Sequence, residues 1–129
     1  MKFYESGDSS KPVIFLFPGT CCLYSSFEHV LDGLHSYFYT ITVSYDGFDP
    51  NEKTEFYSME DECEKIDVPG TTIHVFYAIK MGKKYEKRYY TYFKNPDIRR
   101  HNMQHEELFC CHSAEWVEEV RKAVEGDKQ

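Results

Sequence analysis

Five consecutive apolar, β-favouring residues, Val13-Ile14-Phe15-Leu16-Phe17, run straight into Pro18-Gly19. A run of that length with no polar alternate suits a strand buried on both faces, as inside a parallel sheet. The period then changes. Phe27, Val30, Leu31, Leu34 and Phe38 recur at helical spacing behind Ser25 and Ser26, either of which suits an N-cap. An amphipathic helix from Ser26 to Tyr37 is expected. β-Branched and aromatic residues return from Tyr39 to Tyr45 as a second strand, closed by the turn residues Asp46-Gly47-Phe48-Asp49-Pro50. Strand, helix and strand in that order imply a βαβ unit and a parallel sheet.

The second half repeats the alternation. Thr54 or Ser58 caps a short acidic helix reaching about Ile66, with Glu60, Asp61, Glu62 and Glu64 on its polar face. Asp67-Val68-Pro69-Gly70 breaks the chain, and Thr72 to Ala78 is the third strand. Lys83 to Phe93 is a helix that Asn95-Pro96 ends. Asp97 to His101 is a short final strand. Ser113 caps the last helix, whose Trp116, Val117, Val120 and Val124 form one stripe. Met1 to Pro12 is a short edge strand or a loose arm. The expectation is one α/β domain over residues 1–129, a three-layer α/β/α arrangement whose right-handed crossovers put helices on both faces of a short, mostly parallel sheet.

Length and charge narrow the function. The 129 residues suit one ordinary domain. A formal charge of −7 argues against nucleic acid as a partner, because phosphate binding wants a basic face. The run Lys80 to Arg88 is locally basic, broken by Glu86, and reads as a solvated helix face or an anion site. No stretch approaches the roughly 20 apolar residues of a membrane span. Met1-Lys2-Phe3-Tyr4-Glu5 lacks the apolar core of a signal peptide. Of five cysteines, Cys21-Cys22 and Cys110-Cys111 are sequence neighbours, which rarely satisfy disulfide geometry with each other. Reduced thiols and a cytoplasmic location are expected.

Two blocks of motif carry a resemblance. Phe17-Pro18-Gly19-Thr20 with Tyr45-Asp46-Gly47-Phe48-Asp49, and Phe76-Tyr77-Ala78 through Asn102-Met103-Gln104-His105-Glu106-Glu107-Leu108, resemble small bacterial α/β-hydrolases of the serine esterase and lipase type. Residues 1–66 resemble the family's N-terminal part and residues 71–129 its C-terminal part. The G-x-S-x-G elbow that carries the family's nucleophile is absent, as are the elbow's helix, the cap and the next strand. The resemblance implies a reduced hydrolase core. In the parent order (fourth, third, fifth, sixth, seventh, eighth), loss of the fifth and sixth strands leaves this chain's strands as 2-1-3-4, with a crevice at the switch point between strands 1 and 3.

The same resemblance assigns roles. His105 matches the catalytic histidine, the group able to take and return a proton near neutral pH. The acid falls to Glu86, the first carboxylate beyond Ile79-Lys80-Met81-Gly82-Lys83-Lys84. The turn at Gly19, Thr20 and Cys22 matches the oxyanion loop. The expected activity is weak or absent hydrolysis of small acyl esters, with no cofactor and no metal.

Other readings remain open on the residues alone. Cys21, or Cys22, lies between a strand end and a helix start, and with His105 it would make a Cys–His thiol esterase. His101, His105, Cys110, Cys111 and His112 offer zinc-ligand atoms at a spacing that matches no common zinc pattern. A non-catalytic scaffold that dimerises or binds a small ligand is the third. A homodimer is expected in any case, because a shortened sheet leaves aromatic surface uncovered, and the join at Asp67 to Gly70 is a natural hinge for a domain swap.

Overall fold

The computed structural model describes residues 1–19, 22–66, 74–92, 95–104 and 106–126. The architecture is mixed α/β, in two compact units, residues 1–68 and 69–129.

The first unit is built on a three-stranded sheet ordered β1-β3-β2, from β1 (Lys2–Ser6), β2 (Val13–Leu16) and β3 (Tyr39–Ser44). β2 runs parallel to β3, with Val13 opposite Tyr39 and Leu16 opposite Thr42. β1 runs antiparallel to β3, with Lys2 opposite Ser44. The N-terminal segment is thus the edge strand that one of its two readings allowed. The central place goes to β3, where Thr40, Thr42, Val43 and Ser44 are all buried. The expectation that β2 is buried on both faces is corrected. β2 borders its sheet as described, its first residue Val13 is 52% exposed, and Leu16 alone of its residues is buried. An apolar run reports affinity for a core but not which neighbour supplies it.

The expected helix after β2 forms in two pieces. Tyr24–Phe27 is a 3₁₀ turn and α1 (Glu28–His35) continues it. Neither Ser25 nor Ser26 caps it. The Tyr24 N–H instead donates to Ser44 Oγ at 3.2 Å, which ties the helix start to the end of β3. Phe27, Val30, Leu34 and Phe38 make the buried stripe the spacing predicted. α2 (Met59–Glu64) closes the unit, and Ser58 Oγ accepts the Asp61 N–H at 3.1 Å, the cap expected of it.

Gly47 sits in the turn after β3 with φ +77°, and a Cβ there would lie 2.6 Å from the Phe56 backbone nitrogen. A left-handed conformation and a backbone obstacle both demand glycine. Gly47→Ala is expected to cost on the order of 2 kcal/mol, measured as a lowered urea midpoint at unchanged m.

The second unit holds β4 (His74–Ala78) and β5 (Asp97–His101), paired parallel with His74 opposite Asp97 and Ala78 opposite His101. A 3₁₀ turn at Ile79–Met81 leads into α3 (Lys83–Tyr92), followed after β5 by α4 (Glu107–Cys111) and α5 (Ser113–Gly126). Ile98, Leu108, Trp116, Val117, Val120 and Ala123 form its core. Ala123, not the Val124 of the sequence reading, completes the α5 stripe; Val124 is only half-buried. Trp116 packs edge-on to Phe109 at 5.1 Å between ring centres and tilted against Phe76 at 6.0 Å.

Both parallel pairs of the expected 2-1-3-4 sheet are present, as β3–β2 and β4–β5. The ladder between β2 and β4 that would join them is not among the described pairings. Among the described residues the strands pair as two sheets.

Candidate functional site

The carboxyl ends of β2 and β3 lie side by side, because the strands are parallel and in register. Tyr45, just past β3, donates its hydroxyl to the Pro18 carbonyl at 3.0 Å and so pins the turn that follows β2. The Cys22 N–H closes that turn on the Gly19 carbonyl at 3.0 Å. That bond engages the Cys22 amide within the turn itself. The Cys22 thiol is free and half-buried. Thr20, Cys21 and His105 lie outside the described residues, as does the join at Asp67 to Gly70.

Glu86 sits on α3. Its carboxylate accepts from Arg100 Nε at 2.8 Å and also from Arg100 Nη2, so it belongs to an ion pair that ties α3 to β5. Of the zinc-ligand candidates, His101 ends β5, while the Cys110 and Cys111 thiols lie in α4 and are exposed. The His101 ring stacks on Phe76 at 6.0 Å. Its Nε2 is buried and is the one buried side-chain nitrogen or oxygen among the described residues without a hydrogen-bond partner.

A cavity of about 380 Å³ opens beside β3, lined by Met1, Lys2, Phe3, Ser44, Tyr45, Asp46, Asp49, Glu52 and Thr54. Strand pairing builds it. The antiparallel register sets the start of β1 against the end of β3, and the Asp46–Asp49 turn folds over both. Its charged groups come paired. Lys2 holds Glu52, and Tyr4 donates to Asp49 Oδ2 at 2.5 Å while the Asn51 N–H donates to Asp49 Oδ1 at 2.9 Å. Those bonds, the tyrosine's first, hold the Asp49 carboxyl below the usual carboxylate range.

Beside the cavity, Asp46, Asp61 and Glu62 bring carboxylate oxygens within 4.8 Å of one another, the only such set of three potential metal-binding groups among the described residues. An ammonium already stands among them. Lys65 Nζ lies 2.5 Å from Asp46, 2.6 Å from Asp61 and 2.7 Å from Glu62. The Met1 amino group contacts Asp46 as well and is 3.9 Å from Glu62. Lys65, and then the amino group, draw the Asp46 carboxyl down to about 2 against the opposing effect of burial. The cluster fastens α2 to the end of β3. The sequence pattern did not reveal it: Asp46 was assigned to a turn, Asp61 and Glu62 to the polar face of a short helix, yet Glu62 is 1% exposed.

Two further imidazole contacts also escaped the sequence. Ser6 Oγ lies 3.0 Å from His35 Nε2 and 2.8 Å from Thr40 Oγ1, which is itself 3.2 Å from the same nitrogen. This triangle anchors the end of α1 to β1 and β3. In the second unit His74 Nδ1 is 2.9 Å from Asp97 Oδ2, which also accepts from Arg99 Nε at 2.8 Å. Burial opposes ionisation of Asp97, but the bonds from His74 and Arg99 outweigh it and hold the carboxyl below its ordinary value.

Comparison with protein-family models, curated proteins and solved structures finds no match. No helix among the described residues is long and apolar enough to cross a membrane.

Proposed function

We propose that this chain is a reduced α/β-hydrolase, a three-layer core cut down to its flanking pieces, with slow turnover of small acyl esters that rests on His105. The observation that carries the reading is the turn at Pro18-Gly19. It sits at the carboxyl end of a parallel strand and is held there by the Tyr45 hydroxyl, where such a fold places its oxyanion loop. The two parallel pairs, β3–β2 and β4–β5, agree with the neighbours fourth–third and seventh–eighth of the parent order. In this reading the oxyanion donors are backbone N–H groups near Thr20 or Cys21.

Without an elbow serine, the nucleophile is water. His105 removes its proton as the oxygen attacks the acyl carbon. The carbonyl electron pair moves onto the oxyanion, then returns as the alkoxide leaves with the bonding pair. The imidazolium gives its proton to that leaving group. Glu86, the acid of this reading, is held in place by Arg100. Thiols outside any disulfide at Cys22, Cys110 and Cys111 fit work in the reducing cytoplasm.

The test is hydrolysis of 4-nitrophenyl acetate. A positioned base is expected to exceed the same concentration of free imidazole by on the order of 10²-fold. His105→Ala should remove that excess and Cys21→Ala should leave it. A rate equal to that of imidazole would overturn the proposal in favour of a non-catalytic scaffold. Loss with Cys21→Ala would move the chemistry to a thiolate.

A further inference from the structure

The charge of this chain is unevenly divided. Residues 1–68 hold four Lys and Arg against thirteen Asp and Glu, a formal −9, while residues 69–129 hold eleven against nine, a formal +2. Several basic side chains find acids nearby. Lys65 is surrounded by three carboxylates, Arg121 bonds Glu118 and Glu125, and Lys122 bonds Glu119. α3 gathers three that do not. Lys83, Lys84 and Lys87 are exposed, and none has an ion pair among the described residues. Lys83 and Lys84 stand in the first turn, where the helix dipole disfavours cations, and Lys87 stands one turn beyond Lys83, where like charges repel. The local physics of a helix gives no reason for this arrangement.

α1 presents the opposite. Glu28 and Asp32 are exposed, one turn apart, and without an ion pair among the described residues. Each pair spans about 5–6 Å along its helix. We infer that the Lys83/Lys87 face of α3 docks on the Glu28/Asp32 face of α1 in a second copy of this chain. In a twofold dimer the contact occurs twice, each copy giving one basic and one acidic helix. Tyr90, 57% exposed and almost one turn past Lys87, adds apolar surface at the end of the basic face. Exposed ion pairs are individually weak, so the association is salt-sensitive and of modest affinity.

Sedimentation equilibrium of the full chain tests it. Dimer formation is expected at about 20 mM NaCl and at least a tenfold weaker association at about 500 mM. K83E/K87E should weaken the low-salt dimer by at least tenfold, and E28K/D32K should do the same. A glutamate at the start of α3 suits the helix dipole, so loss of the dimer in K83E/K87E is not loss of the fold, and far-UV circular dichroism checks this. The chain with all four reversals should dimerise again. A monomer at low salt and millimolar concentration, unaltered association in either double variant, or no recovery in the fourfold variant would each overturn the inference.

Discussion

Trp116→Ala is expected to lower the unfolding free energy by about 4 kcal/mol. The indole is 8% exposed and fills the space between Phe76 of β4 and Phe109 of α4. Its removal takes away the largest apolar side chain of the second unit's core and leaves a hole that rigid neighbours cannot close. A unit of that size is stabilised by roughly 3–9 kcal/mol in all. The variant therefore loses much of its α5 helicity at 25 °C. The urea midpoint followed by far-UV circular dichroism reads this directly, and fluorescence cannot serve because the chain has one tryptophan. A midpoint within experimental error of the parent protein would show that the packing described here does not hold the unit together.

Lys65→Met should clearly lower the urea midpoint at pH 7. The change strips the ammonium from three carboxylates and leaves Glu62, 1% exposed, with much less compensation. The pH dependence has a definite sign. Asp46 has its carboxyl depressed to about 2 in the folded protein against an ordinary 3.8, chiefly by Lys65. A depressed carboxyl stabilises the folded state above the unfolded value and loses that contribution as pH falls through the folded one. The parent protein should lose about 2 kcal/mol of this kind between about pH 4 and pH 2. Lys65→Met has less to lose, so the gap between the two narrows across that window. A gap independent of pH, or none at pH 7, would mean the cluster carries no net stabilisation.

Much of the local structure was legible. The β-branched run at Tyr39–Ser44 is a strand, the 3.6-residue spacing of Phe27, Val30 and Leu34 is a buried helix face, and Trp116, Val117 and Val120 form the expected stripe. These patterns depend on residues within a few positions of each other, which share one face by geometry alone. Glu86 illustrates the limit. The resemblance gave it the acid's role, but nothing local announced that its carboxylate bonds Arg100, fourteen positions away. The acidic cluster illustrates it again. Nothing in Glu60 to Glu64 says that Glu62 turns inward while Glu64 stays in solvent; that depends on where Asp46 and Lys65 stand.

The chain's own order of residues therefore determined where strands and helices form, which side of each helix is apolar, and that the class is α/β, because periodicity and turn chemistry are short-range. Tertiary structure alone decided that β3 and not β2 takes the central place among β1, β2 and β3, and that Asp46, Asp61, Glu62 and Lys65 meet at one strand end. Pairing partners and charge neighbours are set by contacts between distant segments. Their energies depend on burial and distance, which no local pattern of side chains encodes.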